Sequence, residues 1–152
     1  MTWLIILLYS IITVAVAIAM DSVAWFLHKY VMHGFGWYLH EDHHRYTKGR
    51  FEKNDVFGLF FALISFLLIL TGIFSEFDLK FFVGIGIMFY GVGYFLVHDI
   101  LFHRRIKIKY HPRRNYIKKL LKAHAIHHGK STAKTGVNFG FLIVTRRTMQ
   151  EF

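Results

Sequence analysis

Three stretches of this chain run without a charged residue for longer than a small soluble fold accommodates. Trp3–Met20 covers 18 residues, Val56–Ser75 covers 20 and Phe81–Val97 covers 17, with no Asp, Glu, Lys or Arg in any of them. At about 1.5 Å of rise per residue, each approaches the ~30 Å hydrocarbon core of a bilayer. Lipid offers no partner to backbone N–H and C=O groups, so such runs are read as transmembrane helices, whose backbone bonds close internally. Asn54-Asp55 ahead of the second run has the character of a helix cap. The third run is short and is expected to continue through His98 to Phe102. The first has no basic residue ahead of it and is long for a signal peptide, so it is read as a retained span.

The basic residues orient these spans. Five Lys or Arg lie in residues 21–55 and thirteen in 98–152, while Lys80 alone lies in the short connection 76–80. Eighteen of the nineteen therefore share one side, which the positive-inside rule makes cytoplasmic. The same rule accounts for the net charge of +10 without nucleic acid. The expectation is an all-α integral membrane protein of the cell (inner) membrane. It is a single domain, residues 1–152, with about three transmembrane helices and cytoplasmic helical extensions. Phe139 to Val144 is apolar but too short to span, and is read as a buried strand or an interfacial segment.

Those extensions hold the histidines. His28-x4-His33 is followed by His40-x2-His43-His44; beyond the membrane hairpin, His98-x4-His103 is followed by His124-x2-His127-His128. This two-part pattern, present twice, takes ten of the eleven histidines and leaves His111. On a helix, positions i, i+3 and i+4 share a face, so each triplet points one way. Around the second triplet, Ile117, Leu120, Leu121, His124 and His128 form one stripe, and Lys118, Lys119 and Lys122 lie opposite. Asn115 is read as the N-cap of that helix and Gly129 as its stop. The x4 pairs fit an α-helix badly, since residues five apart sit about 140° from one another. A π-bulge or a helix end is predicted at both.

Neutral imidazole suits Zn, Cu, Fe and Ni. Ten histidines exceed what one ion can use, so two ions are implied, at the cytoplasmic ends of the helices. The chain has no cysteine, which excludes thiolate and iron–sulfur sites. Glu41, Asp42, Glu52, Asp55 and Asp99 are the carboxylates nearby. Asp42 and Asp99 are expected to orient ligand imidazoles through their other ring nitrogens. His40-Glu41-Asp42-His43-His44 also matches the H-E-x-x-H signature of zinc metalloproteases, a reading that leaves most of the histidines without a role. No glycine-rich dinucleotide fingerprint follows a strand, so electrons must come from outside, and the basic face suits an acidic redox partner.

The order H-x4-H, H-x2-H-H, H-x4-H, H-x2-H-H resembles that of the membrane fatty-acid-hydroxylase superfamily. The phrases HKYVMHGFGWYLHEDHH, GRFEKNDVFGLFFA, YFLVHDILFHRRI and PRRNYIKKLLKAHAIHH, with FGFL, are similar to those of the bacterial β-carotene 3-hydroxylases, over about residues 22 to 145. The tail after Val144 is short. The resemblance implies a non-haem di-iron monooxygenase that uses O2 to hydroxylate C3 of the β-ionone rings of β-carotene, giving β-cryptoxanthin and zeaxanthin. It implies two iron ions, with His28, His33, His40, His43, His44, His98, His103, His124, His127 and His128 as their ligands or immediate neighbours; whether isolated protein holds iron or zinc stays open. It also implies ferredoxin and its reductase as electron donor. The histidine order alone equally serves a fatty acid, a sterol or a carotenoid ketolase reaction. Gly84, Gly86, Gly91 and Gly93 offer either a smooth wall for an apolar rod or close helix packing, the commoner use of such residues.

Overall fold

The structure, a computed structural model, describes residues 2–45, 51–130, 137–140 and 142. Among these, all regular structure is helical: α1 (Trp3–Phe26), a π-helical segment π1 (Leu27–Phe35), α2 (Trp37–His44), α3 (Asp55–Phe74), α4 (Leu79–Tyr94), a second π-helical segment π2 (Phe95–Phe102) and α5 (Asn115–Lys130). The two π segments stand where the x4 histidine pairs lie, as their spacing predicts. Of the apolar patch 139–144, Phe139, Gly140 and Leu142 are described and belong to no strand; the other three residues lie outside the described residues.

Three helical stretches are long and apolar enough to cross a membrane: Trp3–Phe35, Asp55–Phe74 and Leu79–Phe102. The first outruns the uncharged sequence because Asp21 does not break a helix; the chain leaves helical geometry only at Gly34 (φ −106°, ψ −127°). The third continues through His98 to Phe102, as expected. Only 11 %, 11 % and 17 % of the most apolar window of each span is buried. Leu4, Leu59 and Phe89 are more than half exposed, and hydrocarbon is the solvent that suits such a surface.

The described residues fall into two compact units, Met1–Met20 with Val56–Gly93, and Asp21–Asp55 with Tyr94–Phe152. The first is a helical packing unit whose backbones approach closely at glycine. A Cβ on Gly84 would lie 2.9 Å from Ser65 O and from Ile69 N, and one on Gly86 2.7 Å from Thr13 O. Hydroxyls bridge the same helices: Ser65 Oγ donates to Gly84 O at 2.8 Å and Thr13 Oγ1 to Phe82 O at 3.1 Å. With little hydrophobic drive between helices in lipid, small residues and such bonds hold them together. Gly84 and Gly86 are therefore packing glycines, whereas a Cβ on Gly91 or Gly93 would meet nothing within 4 Å. The α3–α4 turn closes with Phe77 N–H donating to Gly72 O at 2.8 Å, and Glu76 and Phe77 adopt positive φ.

Two helix starts differ from expectation. Asn54 precedes α3, but its side-chain carbonyl is directed to His40. Capping falls to a reciprocal pair instead, with Glu52 N–H donating to Asp55 Oδ2 at 3.0 Å and Asp55 N–H to Glu52 O at 3.0 Å. Asn115 is the first residue of α5 rather than its cap, because the Arg114 carbonyl already accepts from Lys118 N–H.

Candidate metal centre

The second unit holds all ten patterned histidines. In a π-helix the backbone bonds i to i+5, which stacks residues that an α-helix would splay apart. His103 N–H accordingly donates to His98 O at 3.0 Å, and the rings of His98 and His103 stand 4.6 Å apart. His28 and His33 stand 5.1 Å apart. Gly36 N–H closes the end of π1 on Val31 O at 2.8 Å, and α2 starts there, turning His40, His43 and His44 toward the cluster. On α5 Lys118, Lys119 and Lys122 are exposed, as expected; of the expected stripe Leu120 is buried and Ile117, Leu121, His124 and His128 are half-buried, while Ala123 and His127 beside it are buried.

Two groups of ligand atoms result, each within 4.8 Å of one another: His28, His33, His40, His44 and His127, and His43, His98, His103 and His124. The two sequence repeats exchange a member. His43, the middle histidine of the first triplet, joins the second group, and its counterpart His127 joins the first. His128 lies against both, its ring 4.3 Å from His44 and 4.4 Å from His124, with a buried Nε2 that no hydrogen bond satisfies.

Ring tautomers show what the clusters can hold. His28 Nδ1 lies 3.0 Å from Phe139 O, His127 Nδ1 2.7 Å from Val137 O and His40 Nδ1 2.7 Å from Asn54 Oδ1. His43 Nδ1 lies 2.8 Å from Glu52 Oε2 and His98 Nδ1 2.7 Å from Asp99 Oδ1. Each oxygen only accepts, so each Nδ1 carries the proton and each neutral ring presents a lone pair at Nε2. His28 Nε2 and His40 Nε2 nevertheless face one another at 3.2 Å. Two lone pairs cannot satisfy each other, but a cation between them can.

The separations suit that cation. Two imidazole nitrogens at ~2.1 Å from one ion and at right angles stand ~3 Å apart. The facing Nε2 pairs His28–His40, His44–His40 and His124–His103 lie at 3.2, 3.1 and 2.8 Å. Protonation is the other way to relieve facing lone pairs, and burial opposes it. Burial holds His40, His44 and His127 near a pKa of about 3 and His103 near about 4. His43, His124 and His128 are also held well below 6.5, by burial first and then by their neighbouring imidazoles. Neutral, buried and convergent, this donor set fits metal ions.

Asp99 Oδ1 lies on the His98 ring. Asp42 is not on a ring among the described contacts; its Oδ2 accepts from Lys53 N–H at 2.7 Å, and Glu52 holds His43. Burial raises the Glu52 pKa, opposed by Arg105. Arg105 donates from Nη1 to Asp55 Oδ1 at 2.7 Å and from Nη2 to Glu52 Oε2 at 2.5 Å. Sequence reasoning missed Asn54, Arg105 and the carbonyls of Val137 and Phe139, because their roles depend on long-range contact and no spacing announces them. Glu41, the general base of the protease reading, pairs instead with Arg45 at 2.5 Å at the surface. His111 is exposed on the connection between π2 and α5.

The sequence model described as Fatty acid hydroxylase matches residues 13–148, a range that contains every one of these histidines. The chain belongs to the fatty acid hydroxylase family. Within this family it is 43 % identical over 136 residues to the β-carotene hydroxylase of Pseudescherichia vulneris, covering 90 % of this chain and 77 % of that protein. It is 42 % identical to the β-carotene hydroxylase of Pantoea ananas, over 88 % and 75 % of the two chains. With that of Paracoccus sp. (strain PC1) it shares 35 % identity over 87 % and 82 %. No solved structure matches this fatty acid hydroxylase family member.

Proposed function

We propose that this chain is a membrane di-iron monooxygenase that hydroxylates the β-ionone rings of β-carotene at C3, yielding β-cryptoxanthin and then zeaxanthin. The observation that carries the chemistry is the convergence of neutral Nε2 lone pairs on two centres, in a chain with three helical stretches long and apolar enough to cross a membrane. The substrate comes from the relatives' names. All ten patterned histidines are assigned to the two ions, His128 completing the second group by the repeat. Residues 1–152 act as one functional domain.

Iron held by these histidines would supply the O2 chemistry of hydroxylation, with two electrons from the external donor and two protons, one oxygen atom entering the product and the other leaving as water. The chain's own residues hold and orient. Glu52, Asp99, Asn54 and the Phe139 and Val137 carbonyls fix the Nδ1–H tautomers of His43, His98, His40, His28 and His127, so that the Nε2 of each of these five stays available at neutral pH. Phe139 packs 5.0 Å from the His33 ring and 5.5 Å from the His28 ring, excluding water from the first group. An apolar polyene dissolves in the bilayer and brings its ring to the helix ends. The basic residues flanking the histidines favour an acidic electron donor, ferredoxin with its reductase, and support a site on the cytoplasmic side of the inner membrane.

The test is pigment conversion. Expressed in a host that accumulates β-carotene, the chain is expected to produce β-cryptoxanthin and zeaxanthin, and a His127→Ala control none. Unchanged β-carotene, with the protein in the membrane and ferredoxin supplied, overturns the substrate assignment.

A further inference from the structure

The two histidine groups are backed by oxygens of different charge. In the first, the Nδ1–H groups of His28, His40 and His127 meet two backbone carbonyls and an amide oxygen, all neutral. In the second, those of His43 and His98 meet the carboxylates of Glu52 and Asp99. These carboxylates are gathered. Arg105 binds Glu52 Oε2, the same oxygen that receives His43, and also Asp55 Oδ1. Its Nη1 lies 3.8 Å from Asp99 Oδ2, and its backbone N–H donates to Asp99 O at 3.0 Å. One guanidinium faces three carboxylates, so the cluster keeps a net negative charge beside the second group. The side chains of Arg105, Glu52 and Asp99 are 20 %, 15 % and 16 % exposed, so water screens that charge only in part.

A carboxylate on the far nitrogen raises the basicity of an imidazole toward a metal more than a neutral carbonyl does, and removing such a partner weakens metal binding about 10- to 100-fold. We propose that the two metal sites are unequal by construction: the second group, backed by Glu52 and Asp99, binds its divalent ion more tightly than the first. Arg105 is the positioning residue that keeps both carboxylates on their histidines. The two ions then differ in ligand basicity although the repeats supply near-identical histidine sets. This inference rests on the proposal that the two groups hold metal.

The experiment uses the purified full chain in detergent, loaded with Zn²⁺ and equilibrated against a graded series of chelator, with metal per chain read by plasma mass spectrometry. The wild type is expected to lose its ions in two steps separated about 10-fold or more in chelator. Glu52→Gln keeps an oxygen for His43 but removes the charge; it is expected to shift the tighter step toward easier release and leave the looser one in place. Arg105→Met is expected to shift the same step, and Arg105→Lys to restore part of it, which a merely structural role would not do. Asn54→Asp, placing a carboxylate on His40, is expected to tighten the looser ion. Two ions leaving in a single step, or Glu52→Gln loosening the weaker ion, overturns the inference and leaves the metal reading intact. A wild-type chain that binds no Zn²⁺ overturns both, and none of the wild-type outcomes depends on a variant folding.

Discussion

Replacing Gly86 by alanine, with Gly91→Ala as its partner experiment, isolates the cost of one methyl group at a membrane helix contact. In the first unit a Cβ on Gly86 would sit 2.7 Å from Thr13 O and 2.8 Å from Val16 Cβ, while one on Gly91 would meet nothing within 4 Å. Ordinary contact begins near 3.4 Å, so α1 and α4 must part by roughly half an ångström or more. A gap of that size forfeits about a quarter of each dispersion contact across the pair, and overpacking of this kind costs about 1–3 kcal/mol. Parting also stretches the 3.1 Å bond from Thr13 Oγ1 to Phe82 O, worth about 0.6 kcal/mol in such settings. Against this, alanine gains up to about 1 kcal/mol of helix propensity over glycine, and both variants gain it alike. Gly86→Ala is thus expected to fall about 2 kcal/mol below Gly91→Ala. Unfolding titrations in mixed micelles of increasing dodecyl sulfate, followed by circular dichroism, measure the difference. Equal stability of the two variants refutes the close-packing argument.

Four further outcomes follow from the site. Asn54→Ala removes the oxygen on His40 Nδ1 and is expected to loosen one ion per chain about 10-fold or more, read by metal analysis after chelator dialysis. In the metal-free chain, His40, His44, His103 and His127 bind protons less readily than their unfolded forms near 6.5. Their neutral state is therefore without penalty above pH ~6.5. Below it the unfolded chain takes up protons that the fold refuses, so stability drops by up to ~1.4 kcal/mol per pH unit per group; thermal unfolding at pH ~7.5 and ~5.5 checks this, and equal midpoints contradict it. Glu41→Gln is expected to retain hydroxylation, since it removes only an exposed ion pair of at most about 1 kcal/mol; abolished turnover would revive the protease-type role. His111→Ala is expected to leave both metal content and turnover unchanged, measured side by side with wild type.

Much of this arrangement is legible in the sequence because membrane and metal each impose a strict rule. Uncharged length located all three spans, since lipid forbids unpaired backbone, but it bounded only the second closely; the first helical stretch runs on past Asp21 to Phe35. The five-residue spacing of His28–His33 and His98–His103 conflicted with an α-helix, and the π-helical turns are how the chain resolves it. The exchange of His43 and His127 between groups was not legible, because a triplet on one helix face says where its rings point and not which group each joins. Asp42 and Glu52 show the same limit. Asp42 is adjacent to His43 in sequence but turns to the Lys53 amide. Glu52, nine residues on, is the carboxylate that reaches His43. Asn54 reads as a cap by its position, and only its burial against His40 redirects it.

The most direct test of the account is the origin of the product oxygen. Membranes containing the chain, β-carotene and a reduced ferredoxin system are incubated under oxygen-18 gas, and the hydroxylated carotenoid is analysed by mass spectrometry. The account predicts one oxygen-18 atom in each new hydroxyl, none from oxygen-18 water, and none in the His127→Ala variant. Hydroxyl oxygen drawn from water, or product formed without O2, would contradict it.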